Sequence, residues 1–170
     1  MKPFARRIYH SPAELAQDMW ILLKGRAIMK RIRQDDLISV AFRERLMLVV
    51  TEVNGCRYCS YHHAKQALKA GISPEELNQL LSGQFPEGCP ADELKALLYA
   101  QHWAEQNAQP EPQLAVQLVE EYGQEKAAAI NLLLRMIRVG NLLGNTGDYI
   151  IYQLSFGRLG YERPGKSAQH

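Results

Sequence analysis

Two cysteines and a histidine in the first half of the chain have the residue types and the spacing that thiol chemistry requires. They are Cys56, Cys59 and His63, in the segment CRYCSYHH. At 3.6 residues per helical turn these positions fall within an arc of roughly 60°, so on a helix their side chains share one face. His62 and Tyr58 point roughly the opposite way. Helical geometry therefore favours His63 over His62 as the partner of the thiols.

A helix start at this point would make the two thiols reactive. A cysteine in the first turn is close to the helix dipole and to unpaired amide N–H groups, both of which favour the thiolate. This argument favours Cys56 as the more acidic thiol, whereas His63, one turn beyond Cys59, can take up the proton of Cys59 instead. Two cysteines three residues apart can also close a disulfide. Spacing alone leaves the roles of the two thiols open.

A carboxylate on the preceding segment is the fourth candidate. Glu44 lies on an otherwise apolar helical stripe, and a carboxylate among apolar neighbours is costly unless it is paired. A reverse turn at Asn54-Gly55 would bring Glu44 to His63. Surface pairing with a neighbouring arginine, Arg43 or Arg45, is an equally good interpretation from spacing alone.

Helix signals recur along the whole chain, and no strand or hairpin pattern competes with them. Two segments, Ser11–Glu14 and Ser73–Glu76, are capping boxes with a proline in the first turn. The pattern predicts an all-α, single-domain helical bundle over residues 1–170, with the motif core at about residues 39–83. The predicted helices are Pro12 to about Gly25, Ser39–Val53, Cys56–Lys69, Pro74 to about Gly83, Ala91–Asn107, Pro112–Tyr122 and Glu125 to about Leu154.

The last predicted helix is the longest and the most apolar. Its polar residues recur at three- and four-residue steps, which predicts one wetter stripe on an apolar rod. The rest of its circumference must be buried in the core or against another subunit. The stretch Ala127–Leu143 contains too many polar residues for an ordinary membrane span. The members of the polar stripe are Asn131, Arg135, Arg138, Asn145 and Asp148.

Composition excludes several classes of function. The chain has 170 residues, enough for one domain with a sizeable core. Lys and Arg total 20 against 18 for Asp and Glu, so no strong field recruits nucleic acid or an anionic membrane. Met1–His10 contains no apolar run of the secretory kind, which predicts a cytoplasmic location. In a reducing compartment, a Cys-x-x-Cys pair indicates redox chemistry or metal binding.

Taken together, Glu44, eleven intervening residues, Cys56-x-x-Cys59, three residues and His63 resemble the signature of alkylhydroperoxidase D proteins. These proteins belong to the carboxymuconolactone decarboxylase superfamily. The resemblance covers about Arg43 to Leu77. It implies an all-α fold that assembles as a homotrimer or homohexamer, and a peroxidase that uses neither a cofactor nor a metal. It also implies that Cys59 attacks a hydroperoxide and becomes a sulfenic acid, that Cys56 resolves it as a disulfide, and that His63 and Glu44 form a proton relay.

The resemblance leaves the particular hydroperoxide open, and it implies a dithiol or protein electron donor of unknown identity. One departure matters. Tyr58 stands where the best-characterised members of the family carry a histidine, which weakens the prediction of a complete peroxidase relay. The third cysteine, Cys89, lies in a predicted loop, where we expect a packing thiol.

Three other functions compete with the peroxidase. Glu44, Cys56, Cys59 and His63 have side chains that could coordinate zinc, but the remaining cysteine and histidine residues form no second paired motif. The lyase branch of the same superfamily decarboxylates a lactone acid, and that chemistry needs no Cys-x-x-Cys. A helical oligomer without catalytic activity is the third, since buried thiols are often inert.

Overall fold

The computed structural model describes residues 4–34, 37–85 and 88–160, and every regular element in these stretches is an α-helix. The predicted all-α fold is therefore confirmed. The seven helices of the described stretches are α1 (Pro12–Lys24), α2 (Arg26–Arg33), α3 (Val40–Asn54), α4 (Arg57–Lys69), α5 (Pro74–Leu81), α6 (Ala91–Glu105) and α7 (Pro112–Leu154).

Serine side chains set where three of the helices begin. Each serine hydroxyl accepts a hydrogen bond from the backbone N–H three residues later, which satisfies a donor that the first helical turn leaves free. The start of α3, the helix that carries Glu44, is set in this way. The three pairs are Ser11 with Glu14, Ser39 with Phe42, and Ser73 with Glu76.

The short helix α2 is not among the predicted helices. It has no side-chain cap, and half of its residues are basic, in the sequence RAIMKRIR. Gly25 separates it from α1 and lies so close to α7 that a Cβ atom at this position would collide with the Leu132 side chain. The glycine therefore allows α2 to approach α7. Its apolar residue Ile32 is buried as a result.

The central helix of the bundle is α3, which packs against α4, α5, α6 and α7. A helix enclosed in this way must bury most of its circumference, and even its charged residues Glu44 and Arg45 are buried. Other fully buried side chains of the core come from the same four-helix neighbourhood. They include Leu46, Leu48 and Val50 of α3, Leu97 and Ala100 of α6, and Leu133, Leu134 and Leu142 of α7.

The two predicted C-terminal helices form one rod with a break. Gly123 has non-helical dihedral angles (φ 73°, ψ 163°) inside α7, between the two predicted segments. By length and composition α7 is apolar enough to cross a membrane, with a mean hydropathy of 1.3 over its most apolar 18-residue window, contrary to the expectation from its polar residues. Within this bundle 61% of that window is buried, which is the ordinary position of a core helix.

The polar stripe of α7 is not wetter than the rest of the helix, so this prediction is wrong. Arg138, Asn145 and Asp148 are buried, because α1 and the N-terminal segment cover this side of α7. Arg138 and Arg135 both form ion pairs with the buried carboxylate of Asp18 on α1. Asn145 Nδ2 donates to the backbone oxygens of Arg7 and Asn54, at 2.9 and 2.8 Å. The stripe therefore anchors the N-terminal segment.

Candidate active site

A tight reverse turn joins α3 to α4 and starts the site. Gly55 ends α3 in the left-handed conformation (φ 70°, ψ 29°), and its N–H donates to the oxygen of Thr51 at 2.8 Å. A residue with a side chain is strained at such a φ, which explains the glycine. Cys56 follows as the N-cap residue of α4, so the chain doubles back as the Asn54-Gly55 signal predicted. Glu44 on α3 thereby comes to lie beside α4.

Glu44 pairs with His63, the first of the two interpretations that spacing left open. Oε2 of Glu44 lies 2.7 Å from Nδ1 of His63, and the Glu44 residue is only 4% exposed. Arg43 Nε lies farther away, 3.5 Å from the other carboxylate oxygen. When Glu44 is ionised, it accepts the hydrogen of Nδ1 and so leaves Nε2 of His63 as the ring nitrogen that can accept a proton. Arg45, the other arginine considered, faces away from this pair.

The two thiols face each other at the start of α4. The sulfur atoms of Cys56 and Cys59 are 2.7 Å apart, longer than the roughly 2.05 Å of a disulfide, and both cysteines are free. The two residues differ in access, since Cys56 is 1% exposed whereas Cys59 is half-buried and lines a cavity. An external reactant can therefore reach Cys59 more easily than Cys56.

The hydrogen bond between the two thiols shifts their pKa values in opposite directions. The hydrogen bond from the Cys59 thiol is the main cause that lowers the pKa of Cys56 to about 7. Burial opposes this shift, and the backbone N–H groups of Cys59 and Tyr58 and the charge of Arg6 add to it. The same hydrogen bond, together with burial, raises the pKa of Cys59 well above that of a free thiol. Near pH 7 Cys56 is therefore about half ionised while Cys59 stays protonated, so the negative charge of the pair lies mainly on Cys56.

A buried amide that the sequence reasoning missed lies beside the site, on α7. Asn141 of α7 is fully buried, and its Nδ2 donates to the hydroxyl of Thr51 at 3.1 Å while its Oδ1 accepts from Asn54 Nδ2 at 3.1 Å. Its side chain also lowers the pKa of Cys59, against the larger opposing effects of Cys56 and of burial. Gly144, one turn later, is so close that an added Cβ would lie 3.2 Å from the sulfur of Cys56. The one available signal was a polar residue inside the apolar helix α7.

A second missed element is an ion pair behind Cys56. Arg6 Nη1 lies 2.6 Å from Oδ2 of Asp148, a carboxylate whose side chain is 3% exposed. Arg57 at the start of α4 also approaches this carboxylate, with Nε at 3.4 Å. Asp148 thus holds two arginines near the thiol pair. The sequence could not predict this cluster, because its three residues lie far apart in the chain and share no helical repeat.

A cavity of about 430 Å³ opens onto these groups. Cys59, His63 and Glu44 supply polar groups to it, and residues of α2, α3 and α7 supply an apolar wall. Tyr58 and His62 are exposed, as expected from their position on the helix face opposite the thiols. Both nevertheless lie at the border of the cavity, which the sequence did not predict. The cavity places Cys59 and the Glu44–His63 pair against one space, and Cys56 lies behind Cys59.

The other candidate ligands are spread through the fold. Cys89 is half-buried near the start of α6, and its thiol lies 3.8 Å from the backbone oxygen of Pro90. In the described part of the chain, no three side chains of His, Cys, Asp or Glu come close enough together to hold a metal ion.

Comparison with protein families adds one finding. Residues 23–102 match the model of the carboxymuconolactone decarboxylase family. The match covers a little under half of the chain and supports its assignment to the carboxymuconolactone decarboxylase superfamily. Comparison with curated proteins and with solved structures gave no significant match. The part that matches the carboxymuconolactone decarboxylase family includes Glu44, Cys56, Cys59 and His63, whereas α7, with Asn141 and one wall of the cavity, lies beyond it.

Proposed function

We propose that this member of the carboxymuconolactone decarboxylase superfamily is a thiol peroxidase of the alkylhydroperoxidase D type. One observation carries the proposal: the facing thiols of Cys56 and Cys59 and the hydrogen-bonded Glu44–His63 pair come together at one cavity. A thiolate, a nearby proton carrier and a second thiol are the three groups that reduction of a peroxide by cysteine requires.

The reaction balances with the residues present and one external reductant. The thiol pair first gives one proton to His63. The sulfur of Cys59 then attacks the outer peroxide oxygen, the O–O bond breaks, and the alcohol leaves with the proton that His63 holds. Cys59 is then a sulfenic acid. The Cys56 sulfur attacks it, a disulfide forms and water leaves. The cysteines lose two electrons and the peroxide gains them. A dithiol of a small molecule or a protein restores both thiols.

Access and charge assign different parts to the two cysteines. Cys56 holds most of the negative charge but is buried, whereas Cys59 lines the cavity. Transfer of the shared proton along the 2.7 Å contact moves the charge to Cys59, where the peroxide can be attacked. His63, one turn farther on, can act as the alternative acceptor of that proton. We therefore propose Cys59 as the attacking and Cys56 as the resolving thiol.

Mass spectrometry of single-cysteine variants tests this assignment, in a Cys89→Ser background that removes the third thiol. With an organic hydroperoxide, the parent protein should lose both thiols of the peptide that contains Cys56 and Cys59. Cys56→Ser should yield one sulfenic acid that dimedone traps, and Cys59→Ser should yield none. A sulfenic acid on Cys56 in the Cys59→Ser protein would reverse the roles. If both thiols of the parent protein stay alkylatable, the peroxidase proposal fails and the lyase or a non-catalytic role is favoured.

We also propose that the protein assembles as a homotrimer or homohexamer. Exposed apolar side chains near the end of α7 support an interface between copies, because a monomer would leave them in water. They include Leu143, Ile150, Ile151 and Leu154, which are between 47% and 77% exposed. Light scattering at micromolar concentration should report a multiple of 19.3 kDa. A mass equal to one chain would overturn this proposal.

A further inference from the structure

Two asparagines of α7, one turn apart, are buried at the reverse turn that carries the thiols. Asn145 uses its side-chain amide on two backbone oxygens, those of Arg7 and Asn54, at 2.9 and 2.8 Å. Asn141 donates to the hydroxyl of Thr51 at 3.1 Å, and its Oδ1 accepts from Asn54 Nδ2. A side-chain amide carries two N–H groups, so these bonds account for only one N–H of Asn141.

The thiol pair lies on the side of α7 that carries Asn141. Gly144 is its neighbour three residues later on the helix surface, and a Cβ added to Gly144 would lie 3.2 Å from the sulfur of Cys56. Gly140, the residue before Asn141, lines the cavity together with Cys59. Because Asn141 is 0% exposed, bulk solvent does not reach its second N–H, and a buried N–H is normally paired within the protein. A negatively charged sulfur is a stronger acceptor for it than a neutral thiol.

The electrostatics of the thiol pair agree with this placement. The Asn141 side chain lowers the pKa of Cys59, whereas the Cys56 thiol and burial raise it. In the resting pair the negative charge lies mainly on Cys56, so the amide favours a distribution of charge that the resting pair does not have. Its contribution is realised when the charge moves to Cys59, which is the state that attack on a peroxide requires.

We infer that Asn141 donates a hydrogen bond to the thiolate of Cys59 and so allows the more accessible sulfur of the pair to attack. This inference rests on the proposed peroxidase function and names a further residue that acts on the reacting sulfur. When the pair holds one proton, this proton lies on Cys59 and the charge on Cys56. Transfer of the proton to Cys56 moves the charge to Cys59, and the pair neither gains nor loses protons or electrons in this step.

Titration of a single thiol tests the inference without any peroxide. In a Cys56→Ser/Cys89→Ser protein labelled with carbon-13 at the cysteine Cβ, nuclear magnetic resonance follows the ionisation of Cys59 alone. Asn141→Leu removes the donor, and we expect the midpoint to move to higher pH by about one unit, the effect of one hydrogen bond to a charged group. Asn145→Leu is the matched control. It removes a buried amide that binds backbone oxygens at the same turn, so it should weaken the fold and leave the midpoint in place.

Two results would overturn the inference. An unmoved midpoint in Asn141→Leu would show that the amide does not act on the sulfur. Equal shifts in Asn141→Leu and Asn145→Leu would show that both residues act only through the structure of the turn. If Asn141→Leu does not fold, Asn141→Ala carries the same test with the same expected direction.

Sulfenic acid formation then separates the inference from the proposed function. The same single-thiol proteins are mixed with an organic hydroperoxide and quenched with dimedone. At neutral pH we expect Asn141→Leu to react about threefold more slowly, because a more basic sulfur offsets part of the tenfold loss of thiolate. The slowing should disappear at a pH where Cys59 is ionised in both proteins. A shifted titration without sulfenic acid would keep the role of Asn141 and remove the peroxidase. Equal rates with an unshifted titration would keep the peroxidase and remove the role of Asn141.

Discussion

Glu44 and Arg45 are neighbours on α3, and both are buried, at 4% and 9% exposure. They face different sides of the helix and are neutralised in different ways. Arg45 lies between two carboxylates from other helices, with Nε 2.5 Å from Glu76 and Nη1 3.0 Å from Glu93. Glu44 is paired most closely with the imidazole of His63, at 2.7 Å, and more distantly with Arg43, at 3.5 Å, and both partners border a cavity.

The Arg45 cluster connects helices, whereas the Glu44–His63 pair is placed where it could take part in a reaction. Arg45 joins α3 to α5 and α6, and its partners are side chains of the protein itself. The Glu44–His63 pair leaves one ring nitrogen available to the cavity, where an external group can exchange a proton with it. The comparison of Glu44 with Arg45 shows that burial and ion pairing alone do not identify a candidate functional residue. What identifies it is an unused donor or acceptor beside an open space.

Removal of the central arginine should have the largest effect on stability. Arg45→Met leaves two carboxylates that face each other without a cation, and we expect the free energy of unfolding in urea to fall by about 3–5 kcal/mol. Lys95→Met is the control, because Lys95 pairs with Glu121 at an exposed position and should lose less than about 1 kcal/mol. Equal losses in the two variants would show that the Arg45 cluster does not hold the helices together.

The Glu44–His63 pair should affect rate instead of stability. Glu44→Gln and His63→Gln should each slow sulfenic acid formation by roughly a hundredfold, the usual contribution of general acid–base assistance. The double variant should be no slower than either single one, since the two residues act as a unit. His62→Gln, at the exposed neighbour, is the control for a lost imidazole. Rapid-quench trapping with dimedone measures the rate, and two additive slowings would contradict the relay.

Titration of the thiols sharpens the comparison further. The pKa of Cys56 is lowered to about 7, so the thiolate fraction rises as pH increases and is half complete near pH 7. Cys59→Ala removes the main cause of this shift, and we expect the ultraviolet absorbance of the thiolate to appear at higher pH. Burial raises the pKa of Cys89, so this cysteine titrates later. An unchanged curve in Cys59→Ala would mean that the helix terminus alone sets the acidity of Cys56.

The smallest expected effect is that of Arg6, which acts from behind Cys56. Arg6→Gln removes a positive charge that lowers the pKa of Cys56, but Asp148 already neutralises much of it. We expect the thiolate titration to move to higher pH by less than about half a unit. Arg6→Lys keeps the charge and should leave the curve in place. A shift as large as that of Cys59→Ala would place the main control of acidity in this ion pair.

The local parts of the site were predictable from sequence because they depend on helix geometry and on one turn. Cys56, Cys59 and His63 share a face through the 3.6-residue repeat, and Gly55 allows the reversal that brings Glu44 to them. The closer contact of Glu44 with His63 than with Arg43 was not predictable, since spacing allowed both partners. Only the packed structure decides between such partners.

The support from α7 could not be predicted for a different physical reason. Asn141 lies more than eighty residues beyond Cys59, and periodicity along one helix does not show which neighbour covers it. Polar residues on α7 indicated a wet surface, but Asp18 and the backbone of the N-terminal segment bind several of them. Hydrogen bonds between distant segments replace water there, and a sequence pattern cannot distinguish these two ways of satisfying a polar group.

The close spacing of Cys56 and Cys59 has a consequence for the energetics of the proposed redox cycle. A disulfide between them closes a ring of only four residues, which restricts the unfolded chain little. Loop-closure entropy then amounts to about 2 kcal/mol, less than half of what a loop of a hundred residues contributes. In the proposed cycle, oxidation would therefore stabilise the fold by about 2 kcal/mol, roughly a thirtyfold change in the folding equilibrium. Reduction by the electron donor would remove this stabilisation at every turnover.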